Sequence, residues 1–461
     1  MEEIISLPCF FISNSPCNIH PHKLKLNYGT GSIKYAITCK KKDDKNMTYD
    51  LLIKNATIDD TGMTKDIGIL DGKITEISDD IPAEAGIKTI MAGGRLVTPG
   101  FVDSHMHYDK TLTLGDKETK TLDEAIEEFI NYSTKMNGQE WKADIKKRAK
   151  AAARQSVQAG TTTLRTHVNI EAGTDLYGVE ALNELKEELR DFVDIKITSL
   201  PSFYDGRVEQ DKRFELLDYA CKNNMLDFLG GAPFLHDNWE ELTEKTFAMA
   251  VKYNLPIDFH VNESDQPDVR NFEQIADLTI KYGYQGKVSC GHVTALNAVD
   301  EETATRVIEK ARVAKLNIIT LPSCNLYLMG RIDKQPIRRG TTRIREFLEA
   351  GVNISYASDN IRDVFRPIGN GDMLEEGLLT AQVAQMVTKT DLETIFKMGT
   401  VNPAKALLLE DYGMGVGKQA DLVIFDECSV AEALTNQATR NYVIKKGKVV
   451  AKNTKISEIV F

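Results

Sequence analysis

Residues 95–107 read RLVTPGFVDSHMH, a β-rich run that closes on two histidines one residue apart. Side chains alternate faces along a strand, so His105 and His107 share a face and present two imidazoles to one point. Seven further runs of similar texture follow: TTTLRTHVNI (161–170), DIKITSLPS (194–202), DFLGGAPF (227–234), LPIDFHVNE (255–263), GKVSCGHVT (286–294), LNIITLPSCN (316–325) and GVNISYASDN (351–360). Amphipathic helical stretches lie between most of them, as at 137–158, rich in Ala, Lys and Arg with apolar spacing. β-runs that alternate with helices signal βα units and a parallel sheet, and eight of them predict an α/β chain built on a (β/α)8 TIM-type barrel over 98–412. A doubly wound open sheet is the runner-up, but it needs a glycine-rich phosphate turn after its first strand, and none is present. Gly413-Met414-Gly415-Val416-Gly417 precedes a strand instead of linking strand to helix, and reads as a structural turn.

Both ends of the chain have a different texture. LLIKNATI, DIGILDGKITEI and KTIMAGGRLVTPG are short strands with Asp71-Gly72 as a tight turn, and ADLVIFD and RNYVIKKGKVV repeat the pattern with a turn at Gly447-Lys448. A small β-sandwich assembled from 48–97 and 413–455 is expected. Residues 1–46 lack acidic side chains between Glu3 and Asp43, which resembles an organellar transit segment in composition, yet arginine is missing and an acidic pair stands first. An over-extended start ahead of Met47 is the preferred reading. The expected location is then the cytoplasm, with plastid or mitochondrion as the alternative if the leader is a transit segment.

The 461 residues carry 57 basic and 68 acidic side chains, a net charge of −11, and no basic block long enough to track a phosphate backbone. Nucleic-acid binding is excluded on that ground. No run approaches the roughly 18 apolar residues of a membrane span. Seven scattered cysteines without a C-x-x-C pair give neither a disulfide framework nor a thiolate metal site, and point to a reducing compartment.

Catalytic residues of such barrels sit at the C-terminal ends of strands. Run one ends in His105 and His107, run five in His260 with Glu263 three residues on, run six in His292 and run eight in Asp359. Three imidazoles and a carboxylate make an N/O ligand set suited to Zn(II) or Fe(II), with a position left for water. Such an ion lowers the pKa of bound water from about 15.7 toward 7 and so supplies hydroxide at neutral pH. Glu263, close to a ligand, is placed to protonate the attacked centre. His20, His22 and His236 read as structural, and His167 is left open between a supporting group and a core residue.

The segments PGFVDSHMHYDK, LRTHVNI, DFHVNES, CGHVTAL, NLYLMGR, RRGTTRIREFLEAGVNI and SDN, followed by GKQADLVIFD, resemble the cytosine deaminase branch of the amidohydrolase superfamily over about 50–455, in the family's order. The resemblance implies one divalent metal ion, Zn(II) or Fe(II), on His105, His107, His260 and Asp359. It implies a proton shuttle at Glu263 and a water- or intermediate-polarising role at His292, with Asp359 also catalytic. Runs three and four offer only Lys196, inside its run, so the carboxylated lysine of two-metal relatives is not matched. Substrate contacts implied by position are Ser202, Phe203, Asn360 and Phe365. Three of these depart from the family. Its ring-reading glutamine after the proline of strand three is replaced by Ser202-Phe203-Tyr204-Asp205, its second aspartate is Asn360, and its tryptophan is Phe365. Losing a paired donor and acceptor costs recognition heavily, so the chemistry is better defined than the substrate.

The expected activity is hydrolytic deamination of cytosine or a related small nitrogen heterocycle by metal-activated hydroxide, with release of ammonia. Hydrolysis of a cyclic amide or an N-substituted aminotriazine on the same site is the alternative, and an inactive barrel scaffold is a third reading. The H-x-E and P-C-x-x-C signature of the zinc deaminases that act on cytidine or nucleic-acid bases does not occur. A small heterocycle is therefore the expected partner, with neither nucleic acid nor membrane, in a homo-oligomer.

Overall fold

The computed structural model describes residues 48–460, apart from 59–62, 116–118, 120, 171–174, 202–206 and 332. It is an α/β fold with parallel sheets. β6 (Phe101–Met106), β7 (Thr161–Ile170) and β8 (Asp194–Pro201) form one parallel sheet. β9 (Leu229–Gly231), β10 (Ile257–Val261), β11 (Val288–His292), β12 (Asn317–Thr320) and β13 (Asn353–Tyr356) form another. Single parallel bridges join the two at both seams, Thr198 with Phe228 and Met106 with Asp359. The eight strands thus follow one another in the cyclic order a barrel requires.

Helices occupy the connections: α1 (Leu122–Ser133), α2 (Gly138–Gln158), α3 (Tyr177–Leu189), α4 (Arg207–Lys222), α5 (Trp239–Tyr253), α6 (Arg270–Lys281), α7 (Glu301–Val313) and α8 (Pro322–Leu328). α2 starts where the sequence places it, because Asn137 and Glu140 complete a capping box, and Trp141, Ile145, Ala149, Ala152 and Ala153 bury one stripe. β10 shows how alternation serves both layers. Phe259 packs outward on Phe247 of α5, with ring centroids 6.0 Å apart, while Asp258 and His260 share the opposite face.

The chain ends form two four-stranded sheets. β1 (Leu51–Thr57), β2 (Thr64–Leu70), β3 (Lys73–Ser78) and β4 (Thr89–Met91) run in the order β3-β2-β1-β4. β5 (Val97–Pro99) joins β14 (Leu422–Phe425), β15 (Arg440–Lys445) and β16 (Lys448–Lys452) in the order β16-β15-β14-β5. Leu51, Ile53, Ile67, Ile69, Ile74, Val97, Leu422, Ile424 and Ile444 from both sheets share one apolar cluster. Lys445, fully buried, reaches Asp421 at 2.6 Å and Asp194 of β8 at 2.5 Å, which ties the terminal sheet to the parallel one.

Three sequence readings need correction. Run 95–107 is two strands, because the chain turns at Pro99-Gly100. β5 pairs with β14, β6 pairs with β7, and a Cβ on Gly100 would stand 2.3 Å from the Thr162 side chain. Run 316–325 is strand only to Thr320, since Pro322 sits in the first turn of α8, where its missing N–H costs nothing. The second terminal hairpin turns at Lys446-Gly447, one residue before the expected pair, and both residues have positive φ, of 49° and 74°. Asp71-Gly72 turns as expected, with φ of 50° and 75°.

Candidate metal centre and active site

Strand ends bring the candidate ligands together. His105 is the penultimate residue of β6, and His107 directly follows the strand. The His107 N–H donates to Asp359 O and the Asp359 N–H donates to His105 O, both at 2.9 Å, so the end of β6 and the segment that follows β13 are laced beside the side chains they carry. His105 Nε2 lies 3.2 Å and His107 Nε2 3.1 Å from His260 Nε2. Asp359 Oδ1 lies 3.4 Å from His107 Nε2 and 3.8 Å from His105 Nε2. Zinc–nitrogen bonds of about 2.0–2.1 Å would set tetrahedral donors about 3.4 Å apart, and the four observed separations straddle that value. The described residues therefore fit a divalent ion.

Electrostatics agree. Burial, followed by mutual repulsion and neighbouring cations, holds His105, His107 and His260 well below the usual imidazole range, which keeps them neutral and able to coordinate. Burial pushes the Asp359 carboxyl up, a shift that a bound cation would reverse. Asp359 and His292 adopt left-handed backbone, with φ of 60° and 68°, a strain the surrounding strands must hold.

Glu263 and His292 meet beside the ligands. His292 Nδ1 is 3.1 Å from Glu263 Oε1, both side chains are buried, and His292 Nε2 has no hydrogen-bond partner among the described residues. Burial lowers the His292 pKa, but the carboxylates of Glu263 and Asp359 outweigh it and leave the pKa raised. Asn360 and Phe365 line the same cavity. The Asn360 amide donates at 2.7 Å to Asp363, whose carboxyl burial pushes up to about 7. Ser202 and Phe203 lie outside the described residues, as do His20 and His22. His236, read as structural, also lines the cavity.

Several site residues escaped the sequence reading. Asp258 Oδ2 is ion-paired with Arg165 Nη2 at 2.7 Å, accepts from His167 Nε2 at 2.9 Å and stands 3.6 Å from His105 Nδ1, which places His167 behind the candidate ligands. The signal was available as period two: Arg165-x-His167 and Asp258-x-His260 each share a face. Lys110 Nζ lies 3.1 Å from His107 Nδ1 and 2.6 Å from Asn169 Oδ1, over the rings of Phe129 and Phe365. Asn325 of α8 contacts both Glu263 and His292. Lys196 points elsewhere, to Asp227. The cavity encloses about 720 Å3, its mouth included, and Leu122, Ile126, Phe129 and Ile130 of α1 give it one apolar wall.

Convergent imidazoles and a carboxylate at the ends of parallel strands define a metal-dependent hydrolase. The amidohydrolase family profile matches residues 88–174 and 179–451, and the chain belongs to that family. N-isopropylammelide isopropyl amidohydrolase of Pseudomonas sp. (strain ADP) is 34% identical over 419 residues, covering 88% of this chain and 98% of that protein. Pterin deaminase of Rhizobium rhizogenes is 30% identical, covering 84% of this chain and 88% of its own. Among solved structures, 5-methylcytosine deaminase from Klebsiella pneumoniae, liganded with phosphonocytosine, superposes with a TM-score of 0.82 at 28% identity, covering 89% and 100% of the two chains. The chain is accordingly a hydrolase of carbon–nitrogen bonds. Among the described residues no helix is long and apolar enough to cross a membrane.

Proposed function

We propose that this chain is a mononuclear aminohydrolase that replaces an exocyclic amino group on an amidine-like carbon of a small nitrogen heterocycle with oxygen, in a closed (β/α)8 barrel carrying a β-sandwich. The observation that carries the reading is the buried contact of Glu263 with His292, 3.1 Å long, at the rim where the four donors converge. A divalent ion on His105, His107, His260 and Asp359, Zn(II) or Fe(II), would acidify water and polarise the substrate.

The chain's own residues do the rest. Glu263 takes up the proton lost as water adds to the ring carbon. It gives that proton to the ring nitrogen, then takes the proton of the newly formed C–OH as the intermediate collapses and passes it to the departing amine, so one water enters and one ammonia leaves. His292 steadies the oxygen that has joined the carbon. Phe129 and Phe365 flank the ring, and Asn360, oriented by Asp363, meets its polar edge.

A second reading is release of an alkylamine. It is favoured by the apolar wall of α1, which suits a substituent on the leaving nitrogen, and by the activity named for the Pseudomonas relative. Product analysis separates the readings: ammonia supports the first, an alkylamine the second, and an opened ring would show cyclic-amide cleavage instead. Glu263→Gln should keep its metal and lose turnover by about 10²- to 10⁴-fold, the usual worth of general acid–base catalysis. Full activity in that variant would overturn the assigned role.

A further inference from the structure

Asn325 is fully buried, and its Nδ2 lies 3.1 Å from Glu263 Oε1 and 3.0 Å from His292 Nδ1. Those two atoms are 3.1 Å apart, so the three make a nearly equilateral triangle. An ionised carboxylate only accepts, so the amide atom facing Glu263 is the nitrogen and not the oxygen. That nitrogen carries two N–H groups, one for each contact. A hydrogen on His292 Nδ1 would point into the second of them. The triangle is satisfied when Nδ1 keeps its lone pair and the ring proton sits on Nε2. Nε2 has no partner among the described residues, and His292 offers a nitrogen within 4.8 Å of donor atoms of His105 and Asp359. A dication alongside disfavours a charged imidazole, so the choice lies between the two neutral tautomers.

We infer that Asn325 is a positioning residue that fixes His292 in its Nε2–H tautomer while holding Glu263 at the same vertex. His292 then donates from Nε2 to the oxygen that joins the substrate carbon, and Glu263 stays free to move protons. The inference rests on the roles proposed above for those two residues. In the competing arrangement Nδ1–H donates to Glu263, Nε2 becomes an acceptor, and the amide only fills space. Pattern alone does not reveal this, because Asn325 lies at the end of a run that reads as strand, whereas Pro322 turns it into α8.

The test is 15N spectroscopy of zinc-loaded protein labelled at histidine, combined with steady-state kinetics. Wild-type His292 should be protonated at Nε2. Asn325→Leu removes both donors and should move the proton toward Nδ1, lowering kcat by about 10²-fold with KM and zinc content unchanged. Asn325→Asp, whose carboxylate would accept from Nδ1–H, should complete the switch. An Nδ1–H tautomer in the wild type, or an unchanged tautomer in both variants, would overturn the inference. The wild-type spectrum decides even if Asn325→Leu fails to fold. Glu263→Gln should retain the Nε2–H tautomer because Asn325 is intact. Turnover surviving in that variant would sink the shuttle role alone, and a changed tautomer in it would count against Asn325.

Discussion

Asp258→Asn is expected to weaken the protein in two separable ways. Asp258 is wholly buried. Burial works against its ionisation, but Arg165 and His167 hold its carboxyl far below the usual carboxylate range. Substitution by asparagine strands the Arg165 guanidinium, and breaking a buried pair costs about 3–5 kcal/mol. Arg165 keeps a hydrogen bond to Ser104 O at 2.8 Å and the Phe228 ring at 4.6 Å, so the low end applies: about 3 kcal/mol, or roughly 10²-fold in the folded-to-unfolded ratio. The second loss is in metal affinity. Removing a group that orients a ligand costs about 10–100-fold, and because Asp258 stands 3.6 Å from His105 Nδ1, beyond hydrogen-bond length, about tenfold is expected. Denaturant titration reads the first loss and chelator competition for zinc the second. Adding Arg165→Met should recover stability, since no charge is then stranded, without restoring metal affinity. Stability within about 1 kcal/mol of wild type together with unchanged zinc affinity in Asp258→Asn would refute the reasoning.

Lys445→Met removes the cation shared by Asp194 and Asp421 and should cost about 3–5 kcal/mol in denaturant titration, while the folded fraction keeps its metal content. Acid should act on the same cluster. Burial raises the pKa of Asp194, but Lys445 and Lys446 hold it below its unfolded value of about 3.9. Its contribution is therefore present above about pH 4 and lost as pH falls through the folded-state pKa. Asp194→Asn should accordingly lose less stability than wild type between about pH 5 and pH 3, measured by unfolding free energy at each pH. Chelation of the bound ion should lower the melting temperature, and added zinc should restore it, because a ligand that binds only the folded chain stabilises it by mass action.

The parts of the site that follow strand period were legible in the sequence. His105 with His107, His260, His292 and Asp359 end four separate runs, and their convergence needs only the barrel order to be right. Arg165, His167 and Asp258 obey the same rule one layer deeper. Pattern leaves His167 open between a supporting group and a core residue, and it misses Arg165 and Asp258, because a buried charged residue draws notice only when its partner is known to face it. Lys110 and Asn325 could not be placed by pattern, since one sits on the turn after β6 and the other on a helix whose run reads as strand. The division at Gly100 was hidden for a different reason. Val97–Pro99 is as β-prone as Phe101–Met106, and only the presence of β14 as a rival partner separates the two.

The most direct measurement is turnover against metal occupancy in one preparation, with the released nitrogen product identified. On a panel of amino-substituted pyrimidines, pterins and triazines, ammonia or an alkylamine should appear in proportion to bound metal and saturate at one ion per chain. Full turnover from folded, metal-free protein, or saturation only at two ions per chain, would contradict the account.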